Sequence, residues 1–384
     1  LIGPIPGLKN YWVAVGVMAG FCQGGGVGKC IAEWIIDGEP SIDVWAMDVA
    51  RFGDYASPQY GTIKSSENYE RRFIMTFPNE TLPKGRKQKT TSLYDRFVSQ
   101  GAVMGDSFGL ESVLWFANDP KDAYEEPTIK RSRSHKYVAK EVKNVRENVG
   151  FTEIANFSKH EFQGSGARKF LNYVLAGRIP LRGRIALNPM LTPKGKLYGD
   201  LTVACLNDNK FIVFGSGAVQ EMHRRWFEMH IDNFDVVYKN RSDELHGLAL
   251  SGPKSRQLIQ KLVRENISNE NFKFRDVKEM YVGGVPAIVN RISFTGELGY
   301  EIYVAPHFLL KLYEAMVAVG EEFKLKPFGG RALMSMRLEK NWGAWTLDFR
   351  PDFTAKESGL DIFIDWKKDF IGKKSAKEDM SNLK

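Results

Sequence analysis

The sequence predicts an α+β protein with mixed sheets. Strand-length apolar or alternating runs recur along it, amphipathic helical spacing lies between them, and the two never settle into strict strand–helix–strand alternation. No internal repeat or low-complexity stretch suggests a solenoid or a disordered chain. At 384 residues the chain implies about two or three domains. No run approaches the ~18 apolar residues of a membrane span, and Leu1–Pro6 lacks the basic flank and apolar core of a secretory signal.

Tyr11–Val17 is a short apolar run, followed by Gly20, the cluster Gly24-Gly25-Gly26-Val27-Gly28-Lys29 and then Ile31–Ile36 before Asp37-Gly38-Glu39-Pro40. This reads as strand, glycine-rich turn, helix and stop. A glycine-rich turn at a helix N-terminus presents free N–H groups and a positive dipole end, although small residues also serve tight strand–helix packing. Val44–Tyr94 mixes polar and aromatic residues with Pro78 and Pro83 and reads as a connector. Beyond it, Val138–Val149 has helical spacing, Phe151–Phe162 contains an alternating strand, and Gly164-Ser165-Gly166-Ala167 opens a helix through Val174. Lys210–Gly215 is an apolar strand; Gln257–Val263 and Leu309–Val319 carry the i, i+3, i+4 pattern of amphipathic helices.

Two carboxylates stand out. Ile292–Thr295 alternates, breaks at Gly296-Glu297-Leu298-Gly299 and resumes as Tyr300-Glu301-Ile302-Tyr303-Val304, which reads as a β-hairpin. Glu301 then points away from the face of Tyr300 and Ile302. A carboxylate so placed accepts paired N–H donors from a flat heterocycle, or is a solvated strand residue. Phe294, across the same hairpin, is a ring-stacking or a core residue. Asp200 follows the Pro193, Gly195 and Gly199 turn and precedes the strand Leu201–Ala204. That places it at a hairpin mouth, as a fixed carboxylate or as a turn-former. Arg337 and Glu339 share a helical segment with Met334, Met336 and Leu338, where a structural ion pair is the simpler role than catalysis.

Other chemistry finds little support. Cys22, Cys30 and Cys205 have neither C-x-x-C nor metal spacing and suit thiols in a reducing compartment, cytoplasm or mitochondrial matrix. His223 and His230 share one helix face and read as structural, so no metal is expected. The net charge of +8 concentrates in Lys84–Lys89 and Lys130–Arg146, where Glu141 and Glu147 interrupt the run and no aromatic platform is interleaved. That pattern favours a solvated linker and helix face over a nucleic-acid partner.

Several blocks resemble the dimethylglycine and sarcosine dehydrogenase family, whose second half is similar to the glycine-cleavage T-protein (aminomethyltransferase). They are Asn10–Gly16 with Gly24–Lys29, Met190–Val203, Ser242–Leu245 with Ser251-Gly252-Pro253, Ile292–Tyr303 and Met336–Lys340. The resemblance implies a T-protein-like folate-binding fold with mixed sheets, preceded by the tail of a flavin-binding oxidoreductase domain. The implied divisions are 1–43 for that tail, 44–91 for a connector, 92–344 for the folate-binding domain and 345–384 for the start of a C-terminal β-rich domain. Glu301 would grip the pterin ring, Asp200 would face the reactive nitrogens of tetrahydrofolate, and Phe294 would line the pocket where many members carry Tyr. Gly25, Gly26 and Gly28 would lie at the isoalloxazine ring. The G-x-G-x-x-G unit that holds the FAD pyrophosphate in such enzymes is not in the sequence, so the chain is expected to be an interior piece of a longer protein, and FAD is expected only there.

The implied activity is capture of the one-carbon unit released by oxidation of an N-methyl amine, dimethylglycine or sarcosine, as methylene-tetrahydrofolate. Partners are then small molecules, without nucleic acid or membrane, and the electron acceptor is open. One rival is a flavin-independent aminomethyltransferase, against which Trp12–Pro40 argues. The other is a non-catalytic folate-fold protein that binds RNA or a partner, against which the joint presence of Asp200 and Glu301 argues.

Overall fold

The computed structural model describes residues 1–382. The chain divides into two compact units, each built from separated stretches. One comprises Leu1–Gly53, Phe157–Arg241 and the chain from Gly343 onward; the other comprises Asp54–Asn156 and Ser242–Trp342. The sequence suggests contiguous blocks cut at 43, 91 and 344, whereas in space the chain passes from unit to unit. Among the described residues no helix is long and apolar enough to cross a membrane.

The first unit is organised on a five-stranded antiparallel sheet in the order Val237–Asn240, Phe157–Gln163, Lys210–Ser216, Leu197–Asn207, Ile185–Leu191. Alternation along the long strand sends Leu201, Val203 and Cys205 to one face. There they pack with Phe162, Phe211 and Val213 against Phe170 and Leu171 of the helix Ala167–Val174 and Trp226 and Phe227 of the helix Gln220–His230. The N-terminal stretch adds a two-stranded ribbon, Ile2–Pro4 with Trp12–Ala14, and the helix Gly20–Asp37. Arg225 lies 4 % exposed and joins this stretch by a bidentate pair with Asp48 (2.8 and 2.6 Å), a bond to the Pro4 carbonyl and its position over Trp34. Residues from Gly343 onward contribute a 3-10 turn, Asp361–Phe363, and the helix Lys373–Asn382, with isolated bridges Lys196 to Thr354 and Gly177 to Ile364. The expected start of a β-rich domain at 345 therefore shows no strand among the described residues.

The glycine cluster departs from the turn expected of it. The helix starts at Gly20, so Gly24, Gly25, Gly26 and Gly28 lie inside it. Each interior glycine costs about 1 kcal/mol relative to alanine. The buried stripe Val27, Cys30, Trp34, spaced at i, i+3 and i+7, anchors the helix regardless, and it ends at Gly38 in the left-handed conformation (φ 84°).

The second unit carries a six-stranded mixed sheet, ordered Val277–Val282, Val285–Asn290, Gly299–Val304, His246–Ser251, Val149–Glu153, Leu325–Pro327. Its neighbours are antiparallel except the last pair, which is parallel. One face, with Phe151, Leu250, Tyr300 and Ile302, forms the core with Phe97, Leu312, Tyr313 and Met316 of the helices Tyr94–Ser99 and Leu309–Gly320. The hairpin Ala102–Ser107 with Leu110–Phe116 and the helix His135–Glu147 complete this part of the unit.

Two elements here differ from the sequence reading. Residues 58–70, read as connector, form the helix Pro58–Glu70; Pro58 is at its first turn and the Ser57 hydroxyl accepts from the Tyr60 N–H at 3.2 Å. The hairpin of Glu301 is also built from other residues. The strand preceding Gly299–Val304 is Val285–Asn290, and Ile292–Leu298 belongs to the loop that joins them. Backbone pairing follows the apolar alternation of Val285, Ala287 and Val289, which faces the core, and the Ser-Phe-Thr-Gly stretch bonds to itself instead. The Ser293 hydroxyl meets that of Thr295 at 2.7 Å, and the Thr295 hydroxyl accepts from Glu297 N–H at 3.3 Å.

Candidate functional site

Glu301 lies on an interior strand of the six-stranded sheet, opposite Asn290 on one side and Ala249 on the other. Opposed residues in an antiparallel pair share a face, so Glu301, Asn290 and Ala249 lie on the face away from the core, as the alternation of Tyr300 and Ile302 requires. Glu301 is only 7 % exposed, which removes the solvated-strand reading. Its Oε2 accepts from the Tyr303 hydroxyl at 3.0 Å. Burial first, and then the adjacent carboxylate, push the Tyr303 phenol well above its ordinary value, so that group stays a donor. Asn290 is wholly buried, and among the described residues neither its amide nitrogen nor its amide oxygen has a hydrogen-bond partner.

The loop between the two strands is held from the helix Gly330–Glu339. Lys340, capping that helix, donates from Nζ to the Ser293 carbonyl at 3.0 Å, and its stem lies over Gly296, which has φ +86°. Although the residue as a whole is exposed, burial of the ammonium lowers its pKa, with the Glu301 carboxylate acting in the opposite direction. Phe294 sits in this loop, half-buried. A separate cavity of about 220 Å³ in the same unit, lined by Asp106, Thr152, Glu153 and Phe328 among others, includes neither Glu301 nor Asn290.

Asp200 belongs to the other unit. It is the fourth residue of Leu197–Asn207, opposite Pro189, inside the strand and not at its mouth. It alternates with Gly199 and Leu201 and so points away from the helix-covered face. Surrounding protein pushes its carboxyl up to about 7, opposed only by its own N–H. No side chain among the described residues bonds to it, which leaves a carboxyl able to hold or release a proton near neutrality. Asp200 is thus in one unit, and Glu301 with Phe294 in the other.

Arg337, Glu339, His223 and His230 make structural contacts. Arg337 donates to the Trp342 carbonyl at 2.9 Å, and Glu339 pairs with Arg146. His223 is buried, its Nε2 at 2.9 Å from the Tyr198 carbonyl, and desolvation lowers it to about 4. His230 packs on Trp226, and no group of His, Cys, Asp or Glu among the described residues is arranged to hold a metal. Gly24, Gly25, Gly26 and Gly28 present bare helix surface, with no atom near the Cβ each lacks. Sequence reading passed over Tyr303, although its position two residues from Glu301 on one strand was a usable signal. It also passed over Lys340 and Asn290, whose proximity depends on the sheet register and helix end.

The chain matches the GCVT N-terminal domain over residues 93–368 and the FAD dependent oxidoreductase central domain over residues 37–91. It is 36% identical to the mitochondrial dimethylglycine dehydrogenase of Homo sapiens, over 98% of this chain and 44% of that protein. To the mitochondrial sarcosine dehydrogenase of Homo sapiens it is 27% identical, over 94% of this chain and 44% of that protein. The chain thus spans under half the length of these relatives. Its fold is similar to that of glycine cleavage system aminomethyltransferase T from Bartonella henselae, with a TM-score of 0.65 and 20% identity over 77% of this chain and 75% of the other. The chain belongs to the GCVT N-terminal domain family, and a stretch matching the FAD dependent oxidoreductase central domain precedes that match.

Proposed function

We propose that this chain is the tetrahydrofolate-binding, one-carbon-transfer portion of a flavin-dependent dehydrogenase of N-methyl amines such as dimethylglycine or sarcosine. The observation that carries the reading is Glu301, a carboxylate 7 % exposed on an interior strand of a GCVT-family sheet. A carboxylate on that strand can accept paired donors from the edge of a flat ligand. A pterin edge, with its 2-amino group beside N3–H, is such a ligand, and Tyr303 holds the carboxylate in place by one hydrogen bond. Lys340 fixes the loop that carries Phe294, whose ring supplies an apolar surface.

When bound, tetrahydrofolate supplies the nucleophilic amines that take up the one-carbon unit. Asp200, in the unit that does not hold Glu301, keeps a carboxyl that near its midpoint of about 7 accepts or returns a proton. FAD, where the longer protein holds it, supplies amine oxidation. The uncovered helix surface at Gly25, Gly26 and Gly28 leaves room for close approach of a flat ring.

Calorimetry with tetrahydrofolate tests the proposal. Glu301→Ala leaves the pterin donors unpaired, a loss of about 1–3 kcal/mol or roughly ten- to a hundredfold in affinity. Equal affinity in parent and variant returns Glu301 to a structural role and removes the basis of the reading.

A further inference from the structure

Asn290 is 0 % exposed, and neither of its amide atoms has a partner among the described residues. It faces Glu301 directly across the strand pair. An orphaned buried amide is rare in folded proteins and lowers stability unless something satisfies it. Side chains of directly opposed residues start from Cβ atoms about 4.5–5.5 Å apart. Glu301 and Asn290 are therefore spaced to read two adjacent pairs of groups on the edge of one flat ligand.

We infer that Asn290 is a second recognition residue of the proposed folate site, one that reads the reduced state of the pterin. The inference rests on the assignment of Glu301 to the pterin edge. Along that edge a tetrahydropterin presents the 2-amino group and N3–H, then the 4-carbonyl oxygen and N5–H. Glu301 accepts from the first two. The carboxamide of Asn290 complements the second two: Nδ2 donates to the 4-oxygen, and Oδ1 accepts from N5–H. In the fully oxidised ring N5 bears no hydrogen and is itself an acceptor, so it opposes Oδ1. The contact therefore favours the form able to carry a one-carbon unit. Asn290 ends its strand and joins the connection 291–298 that carries Phe294.

The test measures affinities of this chain for tetrahydrofolate and for folic acid by calorimetry, together with the melting temperature of the free chain, in the parent, Asn290→Leu and Glu301→Gln. Leucine is close in volume to asparagine and removes both orphaned atoms. The free Asn290→Leu chain should melt higher than the parent while its tetrahydrofolate affinity falls about tenfold, a loss corresponding to one or two hydrogen bonds. Its folic acid affinity should change little, so the preference for the reduced form collapses. Glu301→Gln should weaken both ligands alike. If leucine does not fold there, Asn290→Ala carries the same two affinity outcomes. An unchanged ratio of the two affinities in the Asn290 variant, with both weakened in Glu301→Gln, overturns the role of Asn290 and leaves the folate site standing. Absence of folate binding by the parent chain overturns both.

Discussion

Asp200 illustrates what surrounding protein does to a residue whose identity alone is ambiguous. An aspartate that follows Pro193, Gly195 and Gly199 is either a turn-former or a fixed carboxylate. The structure places it inside a strand, with no side-chain partner among the described residues, at about 7 against an ordinary 3.8. The folded chain thus keeps a proton that the unfolded chain releases between those two values. Asp200 lowers stability progressively as pH rises through that window, and the full penalty applies above it. Asp200→Asn removes the ionisation, so the melting temperature of the variant should exceed that of the parent at pH 8 and converge with it below pH ~4. On the proposed function, the same variant of the longer protein should release formaldehyde where the parent forms methylene-tetrahydrofolate. Preorganised electrostatic groups are typically worth on the order of 10²–10³ in rate. An unchanged partition between the two products makes Asp200 a structural residue. Position and identity of Asp200, Glu301 and Phe294 were readable from sequence because motif spacing is local. Their surroundings were not, because these depend on strands far along the chain, as the pairing of Glu301 with Ala249 and Asn290 shows.

Elements follow the same division between local and distant causes. Helices Ala167–Val174 and Leu309–Gly320 announce themselves through amphipathic spacing. The helix Gly20–Asp37 does not, since its glycines weaken local propensity and only the packing of Val27, Cys30 and Trp34 explains it. Similarly, Ile292–Thr295 alternates like a strand yet remains loop, because Val285–Asn290 already occupies the neighbouring position. The helix His135–Glu147 looks from its composition like a solvated basic face, but Glu141 on it is buried. Its carboxylate accepts from the Phe116 N–H at 2.7 Å and the Gly329 N–H at 3.0 Å, tying the helix to a strand end and to the start of another helix. Burial outweighs those two bonds and raises Glu141 to about 7. Glu141→Leu orphans both N–H groups and should cost about 1–3 kcal/mol for each. Glu141→Gln keeps one acceptor and should cost less, and its stability should lose the decline that Glu141 imposes on the parent between pH 4.5 and about 7. Urea unfolding at pH 5 and pH 8 measures both effects. A leucine variant as stable as the parent would show that water replaces the carboxylate.

At the scale of the whole molecule, the boundaries that look natural along the sequence are not those of the folded units. A cut at 91 separates a connector from the GCVT match, but residues 1–53 complete the unit that holds Asp200. The reason is a buried charge. Arg225, on the helix Gln220–His230, is neutralised by Asp48, and the pair is side-chain buried to 5% and 3% exposure. No local pattern could join two residues 177 positions apart. Removing one partner of such a pair typically costs about 3–5 kcal/mol, since the remaining charge stays buried without compensation. Asp48→Ala in this chain should lower unfolding free energy by about that amount. A chain beginning at residue 92 loses Asp48 together with the apolar cluster of Ile2, Val27, Cys30, Trp34 and Val44. It should lack a cooperative melt, even though it retains the whole of the 93–368 family match. Replacing the pair jointly, Asp48→Leu with Arg225→Met, removes both charges and should recover most of the stability lost in Asp48→Ala. Calorimetric scans of the four chains decide the matter. If the chain from 92 unfolds cooperatively near the parent temperature, residues 1–53 are an appendage and the unit is complete without the Asp48 to Arg225 pair.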